Sequence, residues 1–154
     1  MDYGQAPLLD RLIDEDPANS RESAQQRLMD AREIKALVVR DLENLLNCRR
    51  SIASIPDELR ELQNSVAVYG LKDFTALGAD SHQVRQTILK DVEKAIARFE
   101  PRLKNVNVVI ETGDHKERSL SFQISAMLVV DPIREPVAFD TYFDTTRKAF
   151  VISG

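Results

Sequence analysis

The chain has 154 residues, enough for one domain whose core needs no disulfide or metal to support it. Hydrophobic residues make up 43% and charged residues 30%, and a net charge of −4 argues against general affinity for nucleic acid or anionic lipid. A single cysteine, Cys48, excludes an internal disulfide and fits a reducing compartment, while the absence of Trp and 6% aromatic content leave little for a sugar-stacking groove.

The N-terminus opens Met1-Asp2-Tyr3-Gly4 with no signal-peptide pattern, and no apolar run approaches the roughly 18 residues of a membrane span. Both points predict a cytoplasmic location. The first seven residues are polar and predicted to be loose. Leu8-Leu9-Asp10-Arg11-Leu12-Ile13 is an apolar island, followed by an acidic, polar stretch that reads as a linker. The organisation is therefore an N-terminal segment and linker over 1–22, then a single domain over 23–154. The island is either one helical turn that caps the core or a peptide that docks elsewhere.

The spacing of Leu28, Ala31, Ile34, Leu37, Val38, Leu42, Leu45 and Leu46 predicts a long amphipathic helix from Ser23 to Cys48. Arg27, Arg32, Lys35 and Arg40 interleave with acids on what reads as its solvated face. Arg49 and Arg50 follow at the carboxyl end, where positive charge suits the helix dipole. Pro56, with acids just after it, predicts a short helix running to Leu62. A loop containing Gly70 and Gly78 comes next. The second long helix starts at Asp80 or Ser81, both good N-caps, and buries Val84, Ile88, Leu89, Val92, Ala95, Ile96 and Phe99.

That helix meets Glu100-Pro101-Arg102. Pro101 cannot continue it and pushes Glu100 toward an extended backbone. A carboxylate and a guanidinium fork then flank a stiff corner, a geometry suited to bidentate recognition. Taken alone, the corner is either a helix stop or the centre of a docking surface, and spacing and chemistry favour the stop.

After the corner the hydrophobic period changes from 3.6 to 2. Val106, Val108 and Ile110 mark one strand, and 111–117 reads as a turn. Leu120, Phe122, Ile124, Ala126, Leu128 and Val130 mark a second. Pro132 and Pro136 bracket a predicted break. Val137, Phe139, Thr141 and Phe143 form a third strand, and Phe150 and Ile152 a fourth after the turn at Asp144. The class is α+β: two long amphipathic helices and a short one packed on an antiparallel sheet of about four strands. If the last strand lies at the edge, Ala149, Phe150, Val151 and Ile152 offer unpaired backbone to a partner.

Catalytic signals are weak. His82 and His115 are far apart in sequence with no nearby cysteine, which is not a metal-ligand pattern. Cys48 has no flanking nucleophile motif, and no phosphate loop or nucleophile elbow is present. Among 25 Asp and Glu residues no spacing singles out a glycosidase pair. The charge of Arg102 beside Glu100 favours the ionised carboxylate, the wrong form for a general acid. No enzyme activity and no cofactor are expected.

Several stretches, in order along nearly the whole chain, resemble the gp25-like family of baseplate proteins from contractile phage tails and bacterial type VI secretion, and most of all its type VI secretion branch. They are Leu8-Leu9-Asp10-Arg11-Leu12, Leu42-Glu43-Asn44-Leu45-Leu46-Asn47 with Arg49-Arg50, Tyr69-Gly70-Leu71 with Asp73-Phe74, Phe99-Glu100-Pro101-Arg102-Leu103, and Leu120-Ser121-Phe122-Gln123-Ile124 with Ala126. Glu-Pro-Arg after an amphipathic helix is the most specific. Cys48 and Lys72 depart from the pattern, which has a small hydroxyl residue and Pro there. The resemblance implies a non-enzymatic baseplate subunit in the cytoplasm, assembled at the inner membrane without inserting into it. Glu100, Pro101 and Arg102 would contact the core bundle of the other wedge subunits, and Leu8, Leu9 and Leu12 would form a second docking segment. Sheath subunits would add strands at Ala149–Ile152. It turns the reading of the corner from helix stop to docking contact. The alternatives are an anti-adaptor binding protein of the same fold and, last, a lysozyme-like hydrolase.

Overall fold

The computed structural model describes residues 3–13, 18, 28–50, 55–56, 58–74, 82–110, 120–144 and 146–153. In chain order these form β1 (Gly4–Gln5), β2 (Leu28–Met29), α1 (Ala31–Asn47), α2 (Arg60–Gln63), a 3-10 turn (Val66–Val68), α3 (His82–Phe99), β3 (Leu103–Ile110), β4 (Ser121–Val130), β5 (Ile133–Asp144) and β6 (Ala149–Ser153). β3, β4, β5 and β6 make an antiparallel sheet in that order. The mixed class with a four-stranded antiparallel sheet is as expected; the helix bounds are not.

Helix α1 begins at Ala31 rather than Ser23. Asp30 is its N-cap and forms a capping box with Glu33: the Glu33 N–H donates to Asp30 Oδ1 and the Asp30 N–H to Glu33 Oε2, each at 2.8 Å. Such a box satisfies two helix-end donors that have no partner within the helix. Leu28, assigned from its spacing to the buried stripe, instead sits in β2 opposite Gln5 and is exposed. The predicted helix segment 23–27 lies outside the described residues. The chain's opening is not loose at β1, because Gly4 pairs with Met29 and is buried where a Cβ would meet Ile34 and Val130.

The short helix also starts later than predicted. Pro56 opens a turn, its carbonyl accepting from the Leu59 N–H at 3.0 Å, and α2 begins at Arg60. Arg49 and Arg50 lie beyond the C-cap of α1, outside its last turn. Arg50 reaches across to the Gly70 carbonyl at 3.1 Å and Asp91 Oδ1 at 3.3 Å. Lys72 donates its N–H to Asp91 Oδ2 at 3.0 Å, a bond that proline could not make. The N-cap of α3 lies outside the described residues.

The core sits between the two long helices and one face of the sheet. Ile34, Val38, Leu42, Leu45 and Leu46 of α1 face Ile88, Leu89, Val92, Ala95 and Ile96 of α3, over the sheet residues Phe122, Ile124, Leu128 and Phe139. Burying each such side chain stabilises by about 1.5–3 kcal/mol, so both helices are held mainly by their apolar stripes. The opposite face, with Arg134, Ala138, Asp140 and Tyr142, is open to solvent.

The predicted break between Pro132 and Pro136 does not occur. β5 runs unbroken from Ile133, with Pro136 opposite Met127. The Phe143 N–H bonds the carbonyl of Leu120, the residue just before β4, so odd-numbered residues of β5 direct their N–H groups to β4 and even-numbered ones away from it. Pro136 therefore lacks an N–H only on the far side, and β6 reaches no further along β5 than Asp140. There the missing donor costs no ladder bond.

Candidate docking site at the helix-strand corner

Helix α3 ends as Pro101 dictates, its last bond running from the Glu100 N–H to the Ile96 carbonyl at 2.9 Å. Glu100 then turns inward and is only 4% exposed. Its Oε1 accepts from Arg102 Nε at 2.7 Å and the Arg102 N–H at 3.2 Å, and its Oε2 accepts from Arg102 Nη2 at 2.5 Å. The fork and the carboxylate on either side of the proline are thus one internal ion pair. The same Nη2 donates to Asp41 Oδ2 on α1 at 2.6 Å, which pins the corner to the first helix. Burial alone pulls the Arg102 guanidinium down; the hydrogen bonds and charges of Glu100 and Asp41 outweigh it and hold it above its ordinary value. Pro101 is exposed at the tip.

The chain of charges continues. Asp41 Oδ1 accepts from Arg40 Nη2 at 2.9 Å, and Arg40 Nη1 donates to Asp10 Oδ1 at 2.7 Å. Asp10 and Asp41 together raise the Arg40 guanidinium above its usual range, the hydrogen bond to Asp10 contributing most. Asp10 sits in a turn closed by the Arg11 N–H to the Pro7 carbonyl at 3.1 Å and the Leu12 N–H to the Leu9 carbonyl at 3.0 Å. Leu8, Leu9 and Leu12 are 65%, 72% and 72% exposed. They do not cap the core, and the turn is held to the body through Asp10. Five charged side chains therefore connect the N-terminal turn to the corner.

The sequence nominated the ends of this chain, Leu8–Leu12 and Glu100–Arg102, and missed its middle. Arg40 and Asp41 read there as a solvated face. Nothing local could have shown that they bridge segments 30 and 61 residues away.

The third nominated site needs correction. β6 is the last strand of the sheet, as supposed, but its outer backbone is not unpaired. Phe150 and Ile152 face away from β5. The Phe150 N–H donates to Asn47 Oδ1 at 2.7 Å, its carbonyl accepts from Asn47 Nδ2 at 2.9 Å, and the Ile152 N–H donates to Glu43 Oε1 at 3.0 Å. Glu43 and Asn47 stand one turn apart on α1 and reach the strand as a neighbouring strand would. Phe150 and Ile152 also serve the core: Phe150 makes edge contacts with Phe122 and Phe143, and Ile152 is buried.

Of the residues weighed for chemistry, His82 begins α3 and is exposed, and His115 lies outside the described residues. Cys48 is the half-buried C-cap of α1, its carbonyl accepting from the Leu71 N–H at 2.9 Å. Among the described residues no group of three or more His, Cys, Asp or Glu side chains is placed to hold a metal, and no helix is long and apolar enough to cross a membrane.

Residues 32–133 match the family model described as baseplate wedge protein gp25, a stretch running from α1 through the corner to the start of β5. A search of the curated proteins finds no match. Among solved structures, a chain of the baseplate complex from the type VI secretion system matches with a TM-score of 0.50 at 15% identity, covering 74% of this chain and 97% of that one. At that identity the likeness is one of fold.

Proposed function

This chain belongs to the gp25 family of baseplate wedge proteins, and on that premise we propose that it is a non-enzymatic, TssE-like structural subunit of a type VI secretion baseplate. It joins the wedge and starts the contractile sheath, in the cytoplasm and against the inner membrane. The observation that carries the reading is the family match, which spans the corner and both helices that hold it. The fold likeness to a type VI secretion baseplate chain supports the choice of system.

Docking on the wedge uses the corner and the N-terminal turn. Glu100 sets the Arg102 fork, Pro101 stands at the tip, and Leu8, Leu9 and Leu12 supply apolar side chains on the turn that Asp10 ties to α1. Exposed leucines on a tethered turn and a locked proline corner are both preorganised for a partner, which lowers the entropy cost of binding. Strand addition at the sheet supplies the contact to sheath subunits, with backbone hydrogen bonds for affinity and alternating side chains for register.

Affinity capture of the full chain, co-expressed with wedge and sheath subunits of a type VI secretion system, tests the reading. Co-purification of wedge subunits, together with loss of sheath polymers when this gene is deleted, is the expected result. A chain that purifies without wedge subunits, and whose deletion leaves sheath assembly intact, overturns it.

A further inference from the structure

The N-terminal turn carries its side chains in an inverted arrangement. The Asp10 side chain is only 11% exposed, while Leu8, Leu9, Leu12 and Ile13 around it are open to solvent. A turn governed by apolar burial alone would do the opposite, because leucine gains by leaving water and a carboxylate loses. What holds Asp10 inward is Arg40. Its Nη1 donates to Asp10 Oδ1 at 2.7 Å and its Nη2 to Oδ2 at 3.3 Å, a two-pronged grip on one carboxylate.

Arg40 is itself held. Its Nε and Nη2 both donate to Asp41 Oδ1, at 3.0 and 2.9 Å, so all three nitrogens of the guanidinium are engaged. Asp41 gives its other oxygen to Arg102 at the corner. The helix beneath these contacts is fixed, because Val38 and Leu42, which flank Arg40 and Asp41 along α1, are completely buried. Charge alternates along the whole series, from Asp10 through Arg40, Asp41 and Arg102 to Glu100, so each cation lies between two carboxylates. Loss of Arg40 therefore does more than unfasten the turn. Asp10 and Asp41 share its guanidinium, and without that charge between them they repel. Asp10 then moves out to solvent, and the leucines lose the one contact that fixes their direction.

We propose that Arg40 is the positioning residue of the docking surface: seated on Asp41, it fixes the N-terminal turn relative to the corner and keeps Leu8, Leu9 and Leu12 turned outward, so that turn and corner engage the wedge as one unit. This rests on the docking role proposed above for the turn and the corner, and it names the residue that couples them. Arg40 acts through Asp10 and makes no contact of its own with the partner. Its contribution is to order the turn before binding, which removes that entropy loss from the docking step. An ion pair as exposed as this one accounts for a factor of up to about five in affinity.

The test is the affinity of the full chain for preassembled wedge subunits, measured in two backgrounds. One is the wild type; the other is the triple variant Leu8→Ala, Leu9→Ala, Leu12→Ala, which lacks the leucine contacts. Arg40→Ala should weaken binding by about threefold to fivefold in the wild type, with Arg40→Lys recovering part of the loss. In the triple-alanine background the same change should alter affinity by less than about 1.5-fold, because the turn then has nothing left to position. An Arg40→Ala effect of equal size in both backgrounds overturns the proposal and makes Arg40 a direct contact or a support of the corner. Wild-type affinity of Arg40→Ala, with the triple variant weakened, also overturns it and leaves the leucines as contacts. If the triple variant itself binds as the wild type does, the docking role of the turn falls and the proposal falls with it.

Discussion

Asn47 in α1 and Phe150 in β6 are joined by two reciprocal hydrogen bonds, amide nitrogen to backbone carbonyl at 2.9 Å and backbone N–H to amide oxygen at 2.7 Å. A helix side chain thus gives a strand the pairing that another strand would give. Asn47→Ala should destabilise the fold by about 1–2 kcal/mol, since both strand groups lose their protein partner but can still reach water. Urea unfolding measures the loss, and faster exchange over 149–153 should accompany it. Unchanged stability would mean that the pair contributes nothing to holding β6.

Arg102→Ala should be more damaging, about 3 kcal/mol, because it leaves the Glu100 carboxylate buried without its counter-charge. Arg102→Lys should recover only part of this, since an ammonium cannot bond both carboxylate oxygens of Glu100 and Asp41 in the same planar arrangement. The comparison is read from denaturant midpoints at equal m-values. Equal stability of the Lys variant and the wild type would show that charge alone, without the fork, holds the corner.

At the other end of the charge chain the effect on stability should be small. Arg40 is 45% exposed at its side chain, and exposed pairs contribute about 0–1 kcal/mol. Arg40→Ala should therefore leave the melting temperature nearly unchanged yet speed amide exchange at Arg11 and Leu12. Leu9→Asp should likewise spare the fold and reduce capture of wedge subunits. If Leu9→Asp captures wedge normally, the turn is not a contact.

Gly70 has φ at 96°, and a Cβ there would collide with the Cys48 backbone carbonyl. Gly70→Ala should cost about 2–3 kcal/mol through strain and displacement of the loop that Arg50 and Asp91 hold. Thermal unfolding checks it, and a melting temperature equal to wild type would contradict it.

The α+β class and the sheet were legible because period-2 alternation persists through Phe122, Ile124, Ala126 and Leu128, all of which are buried. The start of α1 was misplaced because Leu28 continues a helical spacing by coincidence, although Asp30 and Glu33 carried the capping signature that ends the strand before it. Pro136 was misread because composition cannot tell which side of a strand its missing donor faces. The corner was visible as a motif, but the burial of Glu100 and the bridge through Asp41 and Arg40 depend on tertiary placement. So does the closure of β6, where Glu43 and Asn47 are 109 and 103 residues from the groups that they hold.

The docking role of the corner is tested most directly by separating it from the corner's contribution to stability. Glu100→Gln with Arg102→Met removes both charges while keeping side-chain volume, a replacement that buried pairs commonly tolerate. The measurement is the affinity of this folded double variant for the preassembled wedge subunits. The docking role predicts a melting temperature within about 5 °C of wild type and wedge affinity lower by about tenfold or more. A folded double variant that enters the wedge with wild-type affinity would contradict it and leave the corner as a helix stop locked by its own ion pair.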